Sequence, residues 1–108
     1  MLSLSHLEGC HMTRLTRKLS GKEGHGRYIV DDEKIIHALE GYSGEAVEKL
    51  AHFENFYFDL LESQDKISSE LEKLRSEGKE KSVRFRELLG QKLMNNNTLI
   101  MLKSYKLE

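Results

Sequence analysis

Proline is absent from all 108 residues. Proline in a helix interior costs about 3 kcal/mol, so a chain without any is free to form long uninterrupted helices, which argues against a loop-rich sandwich or barrel. Tryptophan is missing as well. Large aromatic surface comes only from Phe53, Phe56, Phe58, Phe85 and four tyrosines, so the core must be mainly aliphatic. The single cysteine, Cys10, cannot close an internal disulfide. The opening Met1-Leu2-Ser3-Leu4-Ser5-His6-Leu7 is short and lacks the basic lead-in of a secretory signal. The longest apolar run, Leu99-Ile100-Met101-Leu102, falls far short of the roughly 20 residues a bilayer span needs. A cytoplasmic protein without a membrane partner is expected.

Catalytic signatures are missing too. There is no GxGxxG, P-loop, CxxC, HExxH or GxSxG pattern, and no nucleophile, base and orienting group recur at adjacent helical positions. His6, Cys10 and His11 lie in an unpatterned leader and lack further ligands for a metal. His37 and His52 read as ordinary helix-surface histidines, and Asp31-Asp32-Glu33 reads as a helix N-cap rather than a cation site. Neither an enzyme nor a cofactor or metal is expected.

What is present is charge and helical periodicity. The net charge of −1 hides a segregation: +3 over residues 1–27, −7 over 28–62 and +3 over 63–108. An acidic middle between basic ends suggests that segments or subunits pair by charge, although solvated helix faces give the same pattern. Arg14, Arg17 and Lys18 are candidate nucleic-acid contacts, as are Lys79, Lys81, Arg84 and Arg86. Glu80 and Glu87 dilute the second group, and no recognition motif accompanies either, so nucleic acid is the secondary reading.

Along the chain, residues 1–12 form a leader without periodicity, expected to be disordered, and Met12-Thr13-Arg14 reads like a second start of translation. Residues 13–43 are expected to form a small unit. In it, Thr13–Leu19 and Gly26–Asp31 make a β-hairpin around the turn-rich Ser20-Gly21-Lys22-Glu23-Gly24-His25. A short helix then runs over Glu33–Glu40, capped by Asp31 or Asp32, burying Ile35, Ile36 and Leu39 and ended by Gly41.

Residues 44–108 are expected to form a long helical hairpin, coiled-coil-like and oligomeric. Ser43 caps its first helix. Leu50, Phe53, Tyr57, Leu60, Gln64, Ile67, Leu71 and Leu74 then follow at heptad spacing, with Gln64 the only polar interruption. Gly78 stops this helix and Ser82 caps a second, along which Phe85, Leu88, Leu89, Leu93, Leu99, Ile100 and Leu102 recur. Asn95-Asn96-Asn97 either break that helix or sit inside it with one asparagine at the seam. The seven-residue step from Leu93 to Ile100 favours the continuous helix. At 1.5 Å per residue the two rods are about 50 and 36 Å long, too extended for a hairpin alone to cover its apolar side chains. Self-association is therefore expected through Leu50, Phe53, Tyr57, Leu60, Ile67, Leu71, Leu74, Phe85, Leu89, Leu93 and Ile100.

Leu15-Thr16-Arg17-Lys18, Tyr28 to Ile36, Lys49-Leu50-Ala51-His52-Phe53-Glu54, Leu71 to Leu89 and Leu93 to Tyr105 together resemble small uncharacterised proteins encoded in prophages and mobile elements of Gram-positive bacteria. The resemblance implies a non-enzymatic phage accessory protein in the bacterial host cell, with a further phage or host protein as partner and no catalytic residues to carry over.

Overall fold

The computed structural model describes residues 13–19 and 27–108. The leader 1–12 and the turn 20–25 fall outside the described residues. The chain divides into two compact units, Met1–His52 and Phe53–Glu108.

In the first unit, β1 (Thr16–Lys18) pairs antiparallel with β2 (Tyr28–Val30), setting Thr16 opposite Val30 and Lys18 opposite Tyr28. The Leu19 N–H extends the ladder by donating to the Arg27 carbonyl at 2.8 Å. This is the expected N-terminal β-hairpin. Leu15, beside β1, is the buried apolar residue among the described residues of this unit, and Lys49 Nζ donates to the Thr13 carbonyl at 2.6 Å.

The expected short helix over Glu33–Glu40 is not formed. A single 3-10 turn, Asp32–Lys34, is followed by a second strand pair, β3 (Ile36–Ala38) and β4 (Gly41–Ser43), joined through Leu39-Glu40. Eight residues are too few to sustain a helix without a packed face. The face predicted for it is in fact exposed at Ile36, and at Leu39 completely so. The β pairing is held instead by contacts across it. His37 and Tyr42 stand opposite each other with ring centroids 4.6 Å apart.

Gly44 locks this reversal in place. Its φ is +111°, and a Cβ there would lie 2.9 Å from the Lys34 carbonyl oxygen, so the backbone of 34–36 crosses it at a distance only glycine allows. Asp31 makes no side-chain cap bond, and the expected cap role of Ser43 is displaced. The Gly44 carbonyl accepts the first i→i−4 bond, from Glu48 N–H, leaving Ser43 in β4.

The helix α1 (Glu45–Ser76) runs out of the first unit, and its later turns pair with α2 (Val83–Ser104) in the second. The connection obeys local cap chemistry at both ends. Gly78, at φ +70°, ends α1: its N–H donates to the Arg75 carbonyl and the Lys79 N–H reaches back to the Leu74 carbonyl at 2.8 Å, satisfying two terminal acceptors. Ser82 Oγ then accepts the Phe85 N–H at 3.1 Å and starts α2. Residues 95–97 lie within α2, which is continuous.

The core of the second unit sits next to this connection and is made of Ile67, Leu71 and Leu74 against Phe85 and Leu88. Leu71 is its centre, at 1% exposure. At roughly 25 cal/mol per Å2 of apolar surface, a fully buried leucine contributes on the order of 2 kcal/mol.

Candidate functional site

The eleven residues expected to mediate self-association separate into two groups. Ile67, Leu71, Leu74 and Phe85 are buried within this chain, where α1 meets α2. Tyr57 and Leu60 are half-buried. Leu50, Phe53, Leu89, Leu93 and Ile100 are exposed, Leu93 at 58% and Ile100 at 62%.

Helix α2 explains the separation. Its inward face is carried by Phe85, Leu88, Lys92, Asn95, Leu99 and Leu102, each buried or half-buried and spaced by threes and fours. At 100° per residue, Leu89, Leu93 and Ile100 lie about 100° around the helix from that face. They form a second apolar stripe, with Asn96 at the intervening heptad step. Met94 and Met101 are exposed on the far side.

Between the core and the open end of the hairpin lies a layer of polar side chains. Asn95, at 7% exposure, accepts from Gln91 Nε2 at 3.1 Å through Oδ1, and its Nδ2 points to Ser63 Oγ at 3.5 Å. Gln64 Nε2 donates to the Lys92 carbonyl at 3.4 Å. Gln64 Oε1 is buried and has no donor among the described residues. An unmatched buried acceptor costs on the order of 1–3 kcal/mol, so this layer adds less to stability than the apolar core beside it. The sequence marked Gln64 as the one polar step in the seam but did not single out Asn95, whose burial follows from the inward face of α2.

Of the basic candidates, Arg14, Arg17 and Lys18 lie in or just before β1, while Lys79, Lys81, Arg84 and Arg86 lie at the helix connection and the start of α2 in the other unit. Arg17 Nε donates to Asp31 Oδ1 at 3.0 Å, an exposed ion pair. Arg14 lies 5.6 Å from the centroid of the Tyr28 ring and its Nε donates to the Thr16 carbonyl. Lys18 is exposed. Among the described residues no group of three or more His, Cys, Asp or Glu side chains is arranged to hold a metal ion, and no helix is long and apolar enough to cross a membrane.

No protein-family model, curated protein or solved structure matches this chain.

Proposed function

We propose that this chain is a non-enzymatic scaffold or protein-interaction module that self-associates through its helical hairpin. The prophage resemblance would make it a phage accessory protein in the bacterial cytoplasm, with another phage or host protein as a further partner. The observation that supports this reading is the imbalance of the second unit. Its core holds five apolar residues, while Phe53, Phe56, Phe58, Leu89, Leu93, Met94, Ile100 and Met101 remain exposed. Scattered apolar residues on a surface are ordinary, but a heptad-spaced stripe on a helix is the pattern another helix recognises.

The test is the molar mass in solution. Light scattering at micromolar concentration should give a multiple of 12.5 kDa, and a value of 12.5 kDa overturns the reading. Nucleic-acid binding by Arg14, Arg17 and Lys18 is the weaker alternative, because Asp31 already neutralises Arg17 and Asp32 and Glu33 follow directly.

A further inference from the structure

We infer that the outward face of the β1–β2 hairpin, built from Arg14, Lys18 and Tyr28, binds single-stranded nucleic acid, with phosphates on the two cations and a base stacked on the platform they flank. The inference concerns the first unit alone and stands or falls apart from self-association of the second.

The register of β1 and β2 sorts basic residues that the sequence groups together. Residues directly opposite in an antiparallel pair share a face, and the faces alternate along each strand. Lys18 opposite Tyr28 and Thr16 opposite Val30 therefore lie on one face, while Arg17 opposite Ile29 lies on the other, with Leu15 and Asp31. Leu15 is buried, so the Arg17 face is the one turned inward. On the opposite face Thr16, Lys18 and Tyr28 are exposed, with Val30 half-buried at the strand end. The Arg17–Asp31 ion pair that weakens the three-residue reading thus sits behind the ribbon. Among the described residues no carboxylate pairs with Arg14 or Lys18.

Arg14 is held for this role. Its Nε donates to the Thr16 carbonyl at 3.0 Å and its guanidinium lies 5.6 Å from the Tyr28 ring centroid, which fixes the planar group against the ring and leaves its two Nη groups for a phosphate. Lys18, directly across from Tyr28, supplies the second cation. A stacking surface flanked by cations holds a base and its phosphates without reading sequence. The same clamp disfavours a duplex, because a guanidinium folded back onto a ring does not reach base edges on a groove floor. An acidic peptide would engage the cations and leave the ring unused.

Charge complementarity points the same way. Residues 13–31 hold five bases against two acids. The acids that balance them within the unit, Asp32, Glu33, Glu40, Glu45 and Glu48, belong to the 3-10 turn, the β3–β4 turn and the start of α1, and Glu45 is engaged by Lys34.

The experiment is fluorescence anisotropy of the full chain with labelled oligothymidylate, a duplex of the same length, and polyglutamate as competitor. Single-strand binding should be micromolar at low salt, at least fivefold tighter than to the duplex, and its association constant should fall with salt at a log–log slope of about −1.4 for two phosphate contacts. Lys18→Gln should bring that slope to about −0.7, while Lys81→Gln, the same charge change in the other unit, leaves it unaltered. Tyr28→Leu should weaken binding at least fivefold at unchanged slope, and Tyr28→Phe should retain it; this pair separates the ring from the charge, and the lysine pair tests the face without touching the ring. No anisotropy change, duplex binding as tight as single-strand binding, displacement by polyglutamate at matched charge, or a wild-type slope in Lys18→Gln overturns the inference.

Discussion

The guanidinium of Arg75 lies 5.3 Å from the centroid of the Phe85 ring, one residue inside the end of α1 and two residues inside the start of α2. The pair closes the apolar core at the hairpin connection and covers an aromatic face with an arginine whose charge stays at the surface. Replacing Arg75 by Ala should lower unfolding stability by about 0.5–1 kcal/mol, the range for a partly exposed cation–π contact. Arg75→Lys should recover only part of it, since the planar guanidinium stacks where an ammonium does not. Chemical denaturation of the three proteins would check the order.

Leu71 should be the least tolerant position in the second unit. Leu71→Ala removes the most buried side chain of the core and should cost about 2–5 kcal/mol. Leu71→Asp should cost more, because it also buries an unpaired carboxylate. Ser69→Asp, exposed on the same helix, should change stability by less than about 0.5 kcal/mol. Equal effects of the two aspartates on the thermal midpoint would contradict this core.

Cap chemistry predicts opposite signs at two helix ends. Ser82→Ala removes the acceptor for the Phe85 N–H and should destabilise by about 1 kcal/mol. Lys106, at φ 63°, occupies at the end of α2 the position that Gly78 occupies after α1, with the Leu107 N–H donating back to the Leu102 carbonyl. Lys106→Gly should therefore stabilise, by up to about 1 kcal/mol, by relieving a left-handed conformation that side chains disfavour. Paired denaturation curves read both.

Gly44→Ala should destabilise the first unit selectively. The new methyl would meet the Lys34 carbonyl at 2.9 Å on a backbone at φ +111°, at a cost of more than about 1 kcal/mol. Amide exchange should accelerate at Ile36–Ala38 and Gly41–Ser43. It should stay unchanged around Leu71.

The elements that were legible in the sequence are those whose signals are local. Gly78 and Ser82 mark the hairpin connection because a left-handed glycine and a serine N-cap act within one turn, and the seven-residue step from Leu93 to Ile100 carries α2 through its asparagines. The short helix expected over Glu33–Glu40 is replaced by a strand pair because Ile35, Ile36 and Leu39 suit a short helix face and a strand pair equally. The decision between them lies in Gly44 and in the pairing of His37 with Tyr42, which are contacts rather than periodicities. On α2 two apolar stripes coexist, and spacing alone does not say which one meets α1. The inward one includes Lys92 and Asn95, polar residues that hide it, while the outward Leu89, Leu93 and Ile100 look more like a core than the core does. The basic strand was legible as residues, but the capture of Arg17 by Asp31 depends on the β1–β2 register.

The orphaned acceptor of Gln64 also gives the hairpin a direction of opening. Toward the connection, α1 and α2 are clamped by Leu71, Leu74, Phe85 and Leu88; toward the chain terminus they are joined through carboxamides and half-buried side chains. Separation should thus begin at the terminal turns of α2, halt at the leucine clamp and reclose from it like a hinge. Native-state hydrogen exchange would show this as a gradient of opening free energy along one helix. It should be lowest for amides near Met101–Ser104, intermediate near Asn95 and highest near Leu88–Leu89, although all three share the same unbroken backbone ladder.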